Sequence, residues 1–558
     1  MIEEPPEEKK KELEKLIINK RFSEIEIYIS SLEKKYQETP FVLNLLGVCK
    51  VSKKTSNIDF AKEEVKKSRE LFKKAYEKDN NFVDALYNLA EISLKNQNYD
   101  DVLTYLNNYL KKVVYDFKIV FSLARIHFHL GEIEKAINYY KKIVEKNDAT
   151  KFIFIKLVYI YNYSNLYSQK HYNELCQKYI SSIKKIDDSK FLKLTNEKNS
   201  KKIKIGFFST NFRDHTVIKF LIETVKVLNN NNFETIAFNY TNPRFQDSVT
   251  SDLKRNFTSW YDIHDLDDVA AVNLIRKNKI DILFDLVGYS GGTRLEIFKY
   301  RSAPIQISWI GYTNSTGLQE MDYVIADPYV LESDQHYSEK ILKLPDIWTS
   351  HIPINSEIKI NELPAKKNGF ITFGSFNNFA KISDDSIVLW SKLLKKIKSK
   401  LILKSSSKVH ESGINNLLNR FKIQGADLKN IEILKRSENY NEHLKSYNKI
   451  DIALDTIPYN GATTSYESIW MGVPVLTIVG KSFTSRYGYS INKNLNLDDF
   501  IAKDSNDYID KALKITSNID ELSKLRGDLR NIALKSSLFD TTKFNNNFLN
   551  LIRQIISK

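Results

Sequence analysis

Hydrophobic and polar positions along the chain follow two different patterns, and the change falls at about residue 200. Before it, apolar residues recur every three to four positions, which is typical of amphipathic helices. After it, short apolar runs rich in β-branched and aromatic residues alternate with helical stretches, which favours strands joined by helices. The chain is therefore predicted to have an α-helical first part and an α/β second part.

The helical part contains an internal repeat. Tyr87–Ile92 aligns with Phe121–Ile126 at an offset of 34 residues, and the register holds between residues 85 and 146. This is the period of tetratricopeptide repeats, so we predict such repeats over 1–150 and a helical adapter over 151–199. Stacked repeats form a groove for extended peptides, which predicts a protein or peptide partner, although a plain helical bundle is the alternative.

The α/β part divides into two sets of predicted parallel strands, with a polar linker between them. This order predicts two Rossmann-like domains with a cleft between the carboxyl ends of their strands, followed by a final helix. The predicted domains are 200–365, 366–540 and the helix 541–558, and the predicted strands are Ile203–Phe208, Thr235–Phe238, Ile280–Leu286, Ile305–Ile310, Tyr323–Ala326, Phe370–Phe376, Leu401–Lys404, Ile431–Leu434, Ile452–Asp455 and Val473–Val479.

Charge and cysteine content narrow the class of protein. The 84 basic and 69 acidic side chains give a net charge of +15, but the lysines are spread as pairs on predicted helix faces, so we predict no nucleic-acid partner. Cys49 and Cys176 have neither disulfide nor zinc-site spacing, which favours a reducing compartment. The N-terminus is charged and no apolar run approaches about 18 residues, so a cytoplasmic location without a membrane span is expected.

One turn of the second α/β domain has the pattern of a phosphate site. Strand residues up to Asp455 are followed by Gly461, Ala462, Thr463 and Thr464 at the predicted start of a helix. Free backbone N–H groups, the helix dipole and two hydroxyls there suit a diphosphate. The alternative is that the two threonines only cap the helix.

Three further polar residues are placed to complete a nucleotide site. Glu467 lies one helical turn after the threonines, where its carboxylate could accept hydrogen bonds from a ribose. His215 follows the first strand of the first α/β domain and Lys381 the first strand of the second, so both should face the interdomain cleft. A histidine there could orient or deprotonate a hydroxyl, and an ammonium could neutralise a departing diphosphate, although each could also be an ordinary surface residue.

These stretches, together with Asp281–Arg294 and Arg301–Tyr312, resemble the O-linked N-acetylglucosamine transferase and SPINDLY family over about residues 200–535. The resemblance implies a GT-B fold and inverting, metal-independent transfer of N-acetylglucosamine from UDP-N-acetylglucosamine to Ser or Thr of proteins. Residue by residue, it implies catalytic roles for His215 and Lys381 and donor binding by Asn378, Lys381, His443, Gly461, Ala462, Thr463, Thr464 and Glu467.

Two departures from the family pattern leave the donor open. Ala462 stands where animal members carry a histidine, and Tyr440 where they carry a lysine near the nucleoside. Because plant SPINDLY proteins, which resemble this family, transfer fucose from GDP-fucose, that donor is the alternative. Two other hypotheses are an N-linked glucosyltransferase and a repeat scaffold that binds nucleotide without catalysis.

No cofactor is predicted apart from the nucleotide-sugar substrate, and no metal. A metal-dependent transferase needs a carboxylate pair that holds a divalent ion on the diphosphate. The nearest candidate pair, Asp265 and Asp267, precedes a predicted helix from Val269 to Lys277, where an aspartate is typical of an N-cap. The sequence leaves the oligomeric state open, and a homodimer is one possibility.

Overall fold

The computed structural model describes residues 3–52, 58–96, 98–194, 202–331, 336–354, 357–405, 409 and 411–557. The chain forms two compact units. The first comprises residues 1–130, 138–148 and 409–417, and the second comprises residues 131–137, 149–408 and 418–558. The boundary predicted at 199/200 lies outside the described residues, and the predicted domain limits stay predictions.

The described residues up to 150 form helices joined by short loops, and one helix pair repeats the preceding pair at the predicted spacing. Helices α8 and α9 begin 34 residues after α6 and α7, which confirms the register. Leu86, Leu106 and Leu123 lie in one buried cluster that joins α6, α7 and α8. The helices are α1 Glu7–Ile18, α2 Phe22–Ser31, α3 Lys34–Gln37, α4 Pro40–Ser52, α5 Ile58–Lys78, α6 Val83–Lys95, α7 Tyr99–Lys112, α8 Phe117–His129 and α9 Ile133–Glu145.

Two helices, α10 (Lys151–Tyr161) and α11 (Gln169–Ser182), occupy the predicted adapter and belong to the second unit. Asn162 donates to Tyr312 Oη at 3.0 Å, and Tyr172 Oη donates to the carbonyl of Ser315 at 2.8 Å. The buried hydroxyls are satisfied by these bonds, so the adapter packs specifically against the loop that follows a strand of the first sheet.

The first α/β lobe contains a seven-stranded parallel sheet in the order β3-β2-β1-β4-β5-β6-β7. All five predicted strands are confirmed. The sequence missed β3 and β7 because their side chains are partly exposed and give no apolar run. The elements are β1 Ile203–Ser209, α12 Thr216–Asn230, β2 Phe233–Asn239, α13 Ser248–Lys254, β3 Ser259–Asp262, α14 Asp268–Lys277, β4 Ile282–Asp285, α15 Glu296–Lys299, β5 Ile305–Ser308, β6 Tyr323–Ala326 and β7 Lys340–Lys343.

The second lobe contains a six-stranded parallel sheet in the order β10-β9-β8-β11-β12-β13. Its five predicted strands are confirmed, and only the two-residue edge strand β13 was missed. The elements are α16 Pro364–Asn368, β8 Ile371–Ser375, α17 Asp384–Lys396, β9 Ser399–Lys404, α18 Glu411–Ile423, β10 Ile431–Leu434, α19 Tyr440–Lys445, β11 Ile452–Leu454, α20 Thr463–Trp470, β12 Val475–Ile478, α21 Tyr487–Asn494, β13 Ile501–Ala502, α22 Ser505–Ser517 and α23 Ile519–Leu534.

The last helix, α24 (Thr541–Ile556), returns to the first lobe. Asn545 accepts a hydrogen bond from Thr224 of α12 at 2.7 Å, and the ring of Phe548 lies 4.7 Å from that of Trp309. The final helix therefore packs on the first α/β lobe. It begins at Thr541, the start predicted from the sequence, because Asp540 caps it by accepting from the Lys543 N–H.

The sheet topology determines where ligands are expected to bind. Strand order reverses between β1 and β4 in the first sheet and between β8 and β11 in the second. Loops at the carboxyl ends of strands that flank such a reversal form a crevice. His215 follows β1 and Lys381 follows β8, so the fold places both residues at these crevices. Among the described residues, no helix combines the length and apolar character needed to cross a bilayer.

Candidate active site

A cavity of about 270 Å³ lies between the two lobes of the second unit. Six of the nine predicted site residues line it, namely His215, Asn378, Lys381, Ala462, Thr463 and Thr464. Gly461, His443 and Glu467 lie outside its walls. Apolar and aromatic side chains complete the lining, including Phe220, Trp348, Phe376, Tyr459 and Tyr487. The sequence therefore predicted some of the polar residues of the cavity, whereas Asn377, Thr313 and Thr349 and the aromatic walls come from segments that it did not single out.

His215 is the N-cap of α12 and is held in one orientation. Its Nδ1 accepts the backbone N–H of Val217 at 3.3 Å. Burial, assisted by the positive charge of Arg213, lowers the pKa of His215 to about 4. The imidazole is therefore neutral near pH 7, and since Nδ1 is an acceptor, its proton is assigned to Nε2. In this tautomer, Nε2 is a hydrogen-bond donor.

Lys381 ends a short 3₁₀ turn after β8 that Asn378 caps through a 3.0 Å bond from the Ala380 N–H. Its ammonium donates to the carbonyl of Asn460 at 2.8 Å and lies 4.1 Å from the centre of the Tyr459 ring. Burial lowers the pKa of Lys381 to about 8, although the nearby Asp455 carboxylate opposes the shift. The ammonium is thus buried in a position where an anionic ligand would stabilise its charge.

The turn before α20 is organised by Asp455. Its carboxylate accepts the N–H of Gly461 at 2.7 Å and the hydroxyl of Thr477 at 2.9 Å. Burial raises the pKa of this carboxyl to about 6. A side chain at Gly461 would place its Cβ 2.4 Å from Thr464 Oγ1, so glycine is required for this close approach. Asp455 thereby fixes the path of the loop that leads to the helix.

The amino end of α20 is open towards the cavity. Ala462 is the N-cap and supplies no side-chain cap, and Thr464 Oγ1 donates to Asn377 Oδ1 at 2.8 Å. The hypothesis that the paired threonines only cap the helix therefore does not describe this turn. The first turn of a helix leaves backbone N–H groups without intrahelical acceptors, and here they combine with the helix dipole.

Glu467 and His443 form a buried pair beside the cavity. His443 Nε2 lies 3.0 Å from Glu467 Oε2, and Tyr447 Oη donates to the same oxygen at 3.3 Å. Burial acts to raise the pKa of the Glu467 carboxyl, but the hydrogen bond and charge of His443 outweigh it and hold the pKa below its ordinary value. The Phe376 ring lines the cavity and lies 4.5 Å from the Tyr447 ring, which connects this pair to the cavity wall.

Lys219 was missed by the sequence analysis, although it lies one turn after His215 on α12. Its ammonium is 3.7 Å from the centre of the Tyr440 ring. Burial lowers the pKa of Lys219, and the charge of Glu467 opposes the shift. Lys219 belongs to the first lobe and Tyr440 to the second, so this cation–π contact joins the two lobes beside the Glu467 pair. Its spacing of four residues from His215 was the signal available in the sequence.

One of the two carboxylates considered for a metal, Asp267, has a structural role. Asp267 is the N-cap of α14 and accepts the Ala270 N–H at 2.8 Å. Within the residues that the structure describes, no cluster of three or more His, Cys, Asp or Glu side chains is arranged to hold a metal ion. Metal independence remains a prediction.

Two Rossmann-like lobes with a cavity between them form the GT-B fold, and the buried lysine and open helix end at this cavity are features expected of a glycosyltransferase. The sequence model of Glycosyl transferase family 41 matches residues 161–352 and 350–548. The chain belongs to this family. The match begins within the adapter, in agreement with the packing of α11 on the first lobe.

Relatives and a solved structure support the assignment. The chain is 32% identical to a probable UDP-N-acetylglucosamine–peptide N-acetylglucosaminyltransferase SPINDLY of Solanum lycopersicum over 361 residues, which are 63% of this chain and 38% of the relative. It is 26% identical to the corresponding probable enzyme SEC of Arabidopsis thaliana over 369 residues, 63% of this chain and 37% of that one. The chain therefore matches well under half the length of these plant relatives. A mutant of Thermobaculum terrenum O-GlcNAc transferase superimposes with a TM-score of 0.75 and 26% identity, covering 88% of this chain and 94% of that one.

Proposed function

We propose that the protein is a protein O-glycosyltransferase that transfers N-acetylglucosamine from UDP-N-acetylglucosamine to Ser or Thr with inversion and without a metal. One observation carries the proposal: the Lys381 ammonium, the open end of α20 and His215 line the same cavity. The named activities of the plant relatives and of the Thermobaculum enzyme agree with it. The acceptor is a protein or peptide, for which the helical repeats provide a groove.

The leaving diphosphate is stabilised by the second lobe. As the bond between the anomeric carbon and the phosphate oxygen breaks, negative charge grows on the diphosphate. Lys381 and the N–H groups of Thr463 and Thr464 supply positive charge from fixed positions. In metal-dependent transferases a divalent ion has this role, so these groups support metal independence. Retained activity in excess chelator is expected, and activity lost in chelator and restored by manganese would contradict this part of the proposal.

The acceptor hydroxyl is positioned by the first lobe. In the assigned tautomer, His215 Nε2 carries a proton and donates a hydrogen bond to an oxygen in the cavity. The hydroxyl oxygen attacks the anomeric carbon from the side opposite the diphosphate, which gives inversion. Since Nε2 is a donor, the hydroxyl proton leaves to another base, for which the donor phosphate is the candidate. His215 then orients the nucleophile.

The nucleoside lies towards Glu467, His443 and Tyr440 in this proposal, with the ribose hydroxyls near the carboxylate. GDP-fucose is the second candidate donor, because Tyr440 replaces a lysine of animal members at this end of the site and its ring contacts the Lys219 ammonium at 3.7 Å instead.

A donor panel tests the proposal. Binding and hydrolysis of UDP-N-acetylglucosamine, UDP-glucose and GDP-fucose are measured by calorimetry and nucleotide release, with Lys381→Met as the control for site-specific turnover. Selective use of UDP-N-acetylglucosamine, with modified Ser or Thr identified by mass spectrometry, is the expected result. Preference for GDP-fucose would reassign the donor, modified asparagine would reassign the linkage to the N-linked class, and nucleotide binding without turnover of any donor would favour the scaffold hypothesis.

A further inference from the structure

A second and larger cavity, of about 710 Å³, lies in the first lobe. It is formed by the loops that follow the carboxyl ends of β1, β2, β3 and β4. Each of these four loops contributes to the lining of the cavity, through Thr210, Tyr240, His264 and Gly291 respectively. The strand order reverses between β1 and β4, so this cavity occupies the crevice where ligands of parallel sheets bind. None of the predicted site residues lines it.

Part of the lining of this cavity carries positive charge that has no acidic partner among the described residues. The guanidinium groups of Arg213 and Arg244 lie 5.9 Å and 4.6 Å from the centre of the Phe245 ring. Neither arginine forms an ion pair or a side-chain hydrogen bond with the residues that the structure describes. Phe245 is 52% exposed, so its ring and the two guanidinium groups beside it are accessible from solvent. We refer to these three residues as the basic rim.

Other charged residues of the lining differ from the basic rim because they are already engaged. Arg294 donates to Asp268 at 2.8 Å, and Asp267 caps α14. An anionic ligand group is therefore expected to bind at the basic rim rather than at Arg294, whose charge Asp268 already neutralises.

Two polar groups in the lining also point to a ligand. The hydroxyls of Tyr240 and Thr241 are buried and have no hydrogen-bond partner among the described residues, with the side chains 5% and 1% exposed. Buried hydroxyls are normally paired, so their presence in a cavity wall suits a ligand that carries hydrogen-bonding groups. A peptide backbone offers both donors and acceptors at regular intervals.

The second cavity adjoins the candidate active site through one loop. Arg213 lines the second cavity and His215, two residues later, lines the first. Two residues span at most about 7 Å between Cα atoms, and an extended peptide advances about 3.3 Å per residue. In a bound peptide whose Ser or Thr hydroxyl lies at His215, a side chain two or three residues away along the peptide therefore reaches Arg213.

We propose that this second cavity is an acceptor subsite, in which an Asp or Glu side chain two or three residues from the modified Ser or Thr binds Arg213 beside the Phe245 ring. The inference rests on the proposed transfer to protein hydroxyls and adds a substrate preference to it. The acceptor segment is extended, lies across the loop from Arg213 to His215, and places its acidic residue at the basic rim.

A double-mutant cycle between enzyme and peptide tests the subsite. Fluorescently labelled peptides that contain a single Ser, with Glu or Gln two or three residues away, are titrated with the full-length wild type and Arg213→Gln, and binding is read by anisotropy. Arg255→Gln is the matched control, because Arg255 is an exposed arginine of the same lobe, paired with Asp252, outside the cavity lining. The expected result is roughly fivefold weaker binding of the Glu peptide to Arg213→Gln, with little change for the Gln peptide. The control should bind both peptides as the wild type does.

The outcomes separate the subsite from the proposed function. Equal losses for the Glu and Gln peptides in Arg213→Gln, or the same loss in Arg255→Gln, would overturn the subsite. Phe245→Ala gives a second test at an exposed position. If Arg213→Gln and Phe245→Ala both discriminate between the Glu and Gln peptides as the wild type does, the subsite is also overturned. Nucleotide binding is measured separately by calorimetry on the wild type. Failure to bind any donor together with Arg213-dependent peptide binding would reject the proposed function and retain the subsite as a site for acidic peptides.

Discussion

His443 Nε2 lies 3.0 Å from Glu467 Oε2, and this contact joins α19 to α20. The amino end of α20 faces the cavity, so the contact couples the proposed nucleoside end of the site to the proposed diphosphate end. Glu467 is 4% exposed, and its carboxylate is stabilised by His443 and Tyr447 rather than by solvent. A side chain placed in this way is already oriented before a nucleotide binds, which lowers the entropy cost of binding.

Glu467→Gln is expected to weaken nucleotide binding by roughly tenfold, because a hydrogen bond to a charged group is lost. The shift of the Glu467 pKa gives a second readout. Since its pKa is depressed from 4.5 in the folded protein, its contribution to stability is present above about pH 4.5 and is lost as the pH falls through the folded value. Thermal unfolding of the wild type should therefore lose more stability between pH 5 and 3 than the variant does. Identical pH profiles for the two proteins would contradict the assignment.

Lys381→Met should abolish turnover without unfolding the protein. The pKa of Lys381 is lowered to about 8, so keeping the ammonium charged in the folded state opposes folding below that pH. The variant should consequently melt at the wild-type temperature or higher at pH 7, while nucleotide release from the donor falls to background. Near-normal turnover would refute the role of the ammonium.

The same lysine predicts an alkaline limit of activity. In the free enzyme, the ammonium loses its proton as the pH rises through about 8, so kcat/KM of the wild type should fall above that value. Lys381→Arg keeps its charge at all pH values and should show low activity without this alkaline decline. Because burial also lowers the pKa of Lys404 to about 8, a decline that persists in Lys381→Arg would assign the limit to Lys404.

Tyr459 is expected to position Lys381. Its ring lies 4.1 Å from the Lys381 ammonium on one side and 4.7 Å from the ring of Tyr163, beyond the end of α10, on the other. Tyr459→Leu should lower kcat by several fold with a smaller effect on KM, because the lysine loses a contact that is worth about 1 kcal/mol. Tyr459→Phe keeps the ring and should restore kcat. If both variants lose the same activity, the hydroxyl rather than the ring would be responsible.

The strands and the site differ in how far the sequence predicts them. Mostly apolar, largely buried parallel strands such as β1 and β11 are recognisable without a structure, whereas β7 has exposed and partly exposed side chains and is not. His215 and Lys381 were predicted because the ends of parallel strands meet at one edge of a sheet. Lys219 and Tyr459 were not, because their contacts join segments that are far apart in the chain. Local patterns thus predicted part of the polar lining, and tertiary packing supplied the rest and its neighbours.

His215 distinguishes orientation of the nucleophile from proton removal. Its Nδ1 accepts from the Val217 N–H at 3.3 Å, which leaves Nε2 as a donor, and its pKa of about 4 makes it a weak base at neutral pH. A glutamine side chain retains a donor N–H but cannot act as a base. If His215 orients the hydroxyl, His215→Gln should therefore keep substantially more activity than His215→Ala when kcat is measured at saturating donor and acceptor. Equal, near-complete losses in both variants would favour proton removal by the imidazole, because only that role requires the ring to accept a proton.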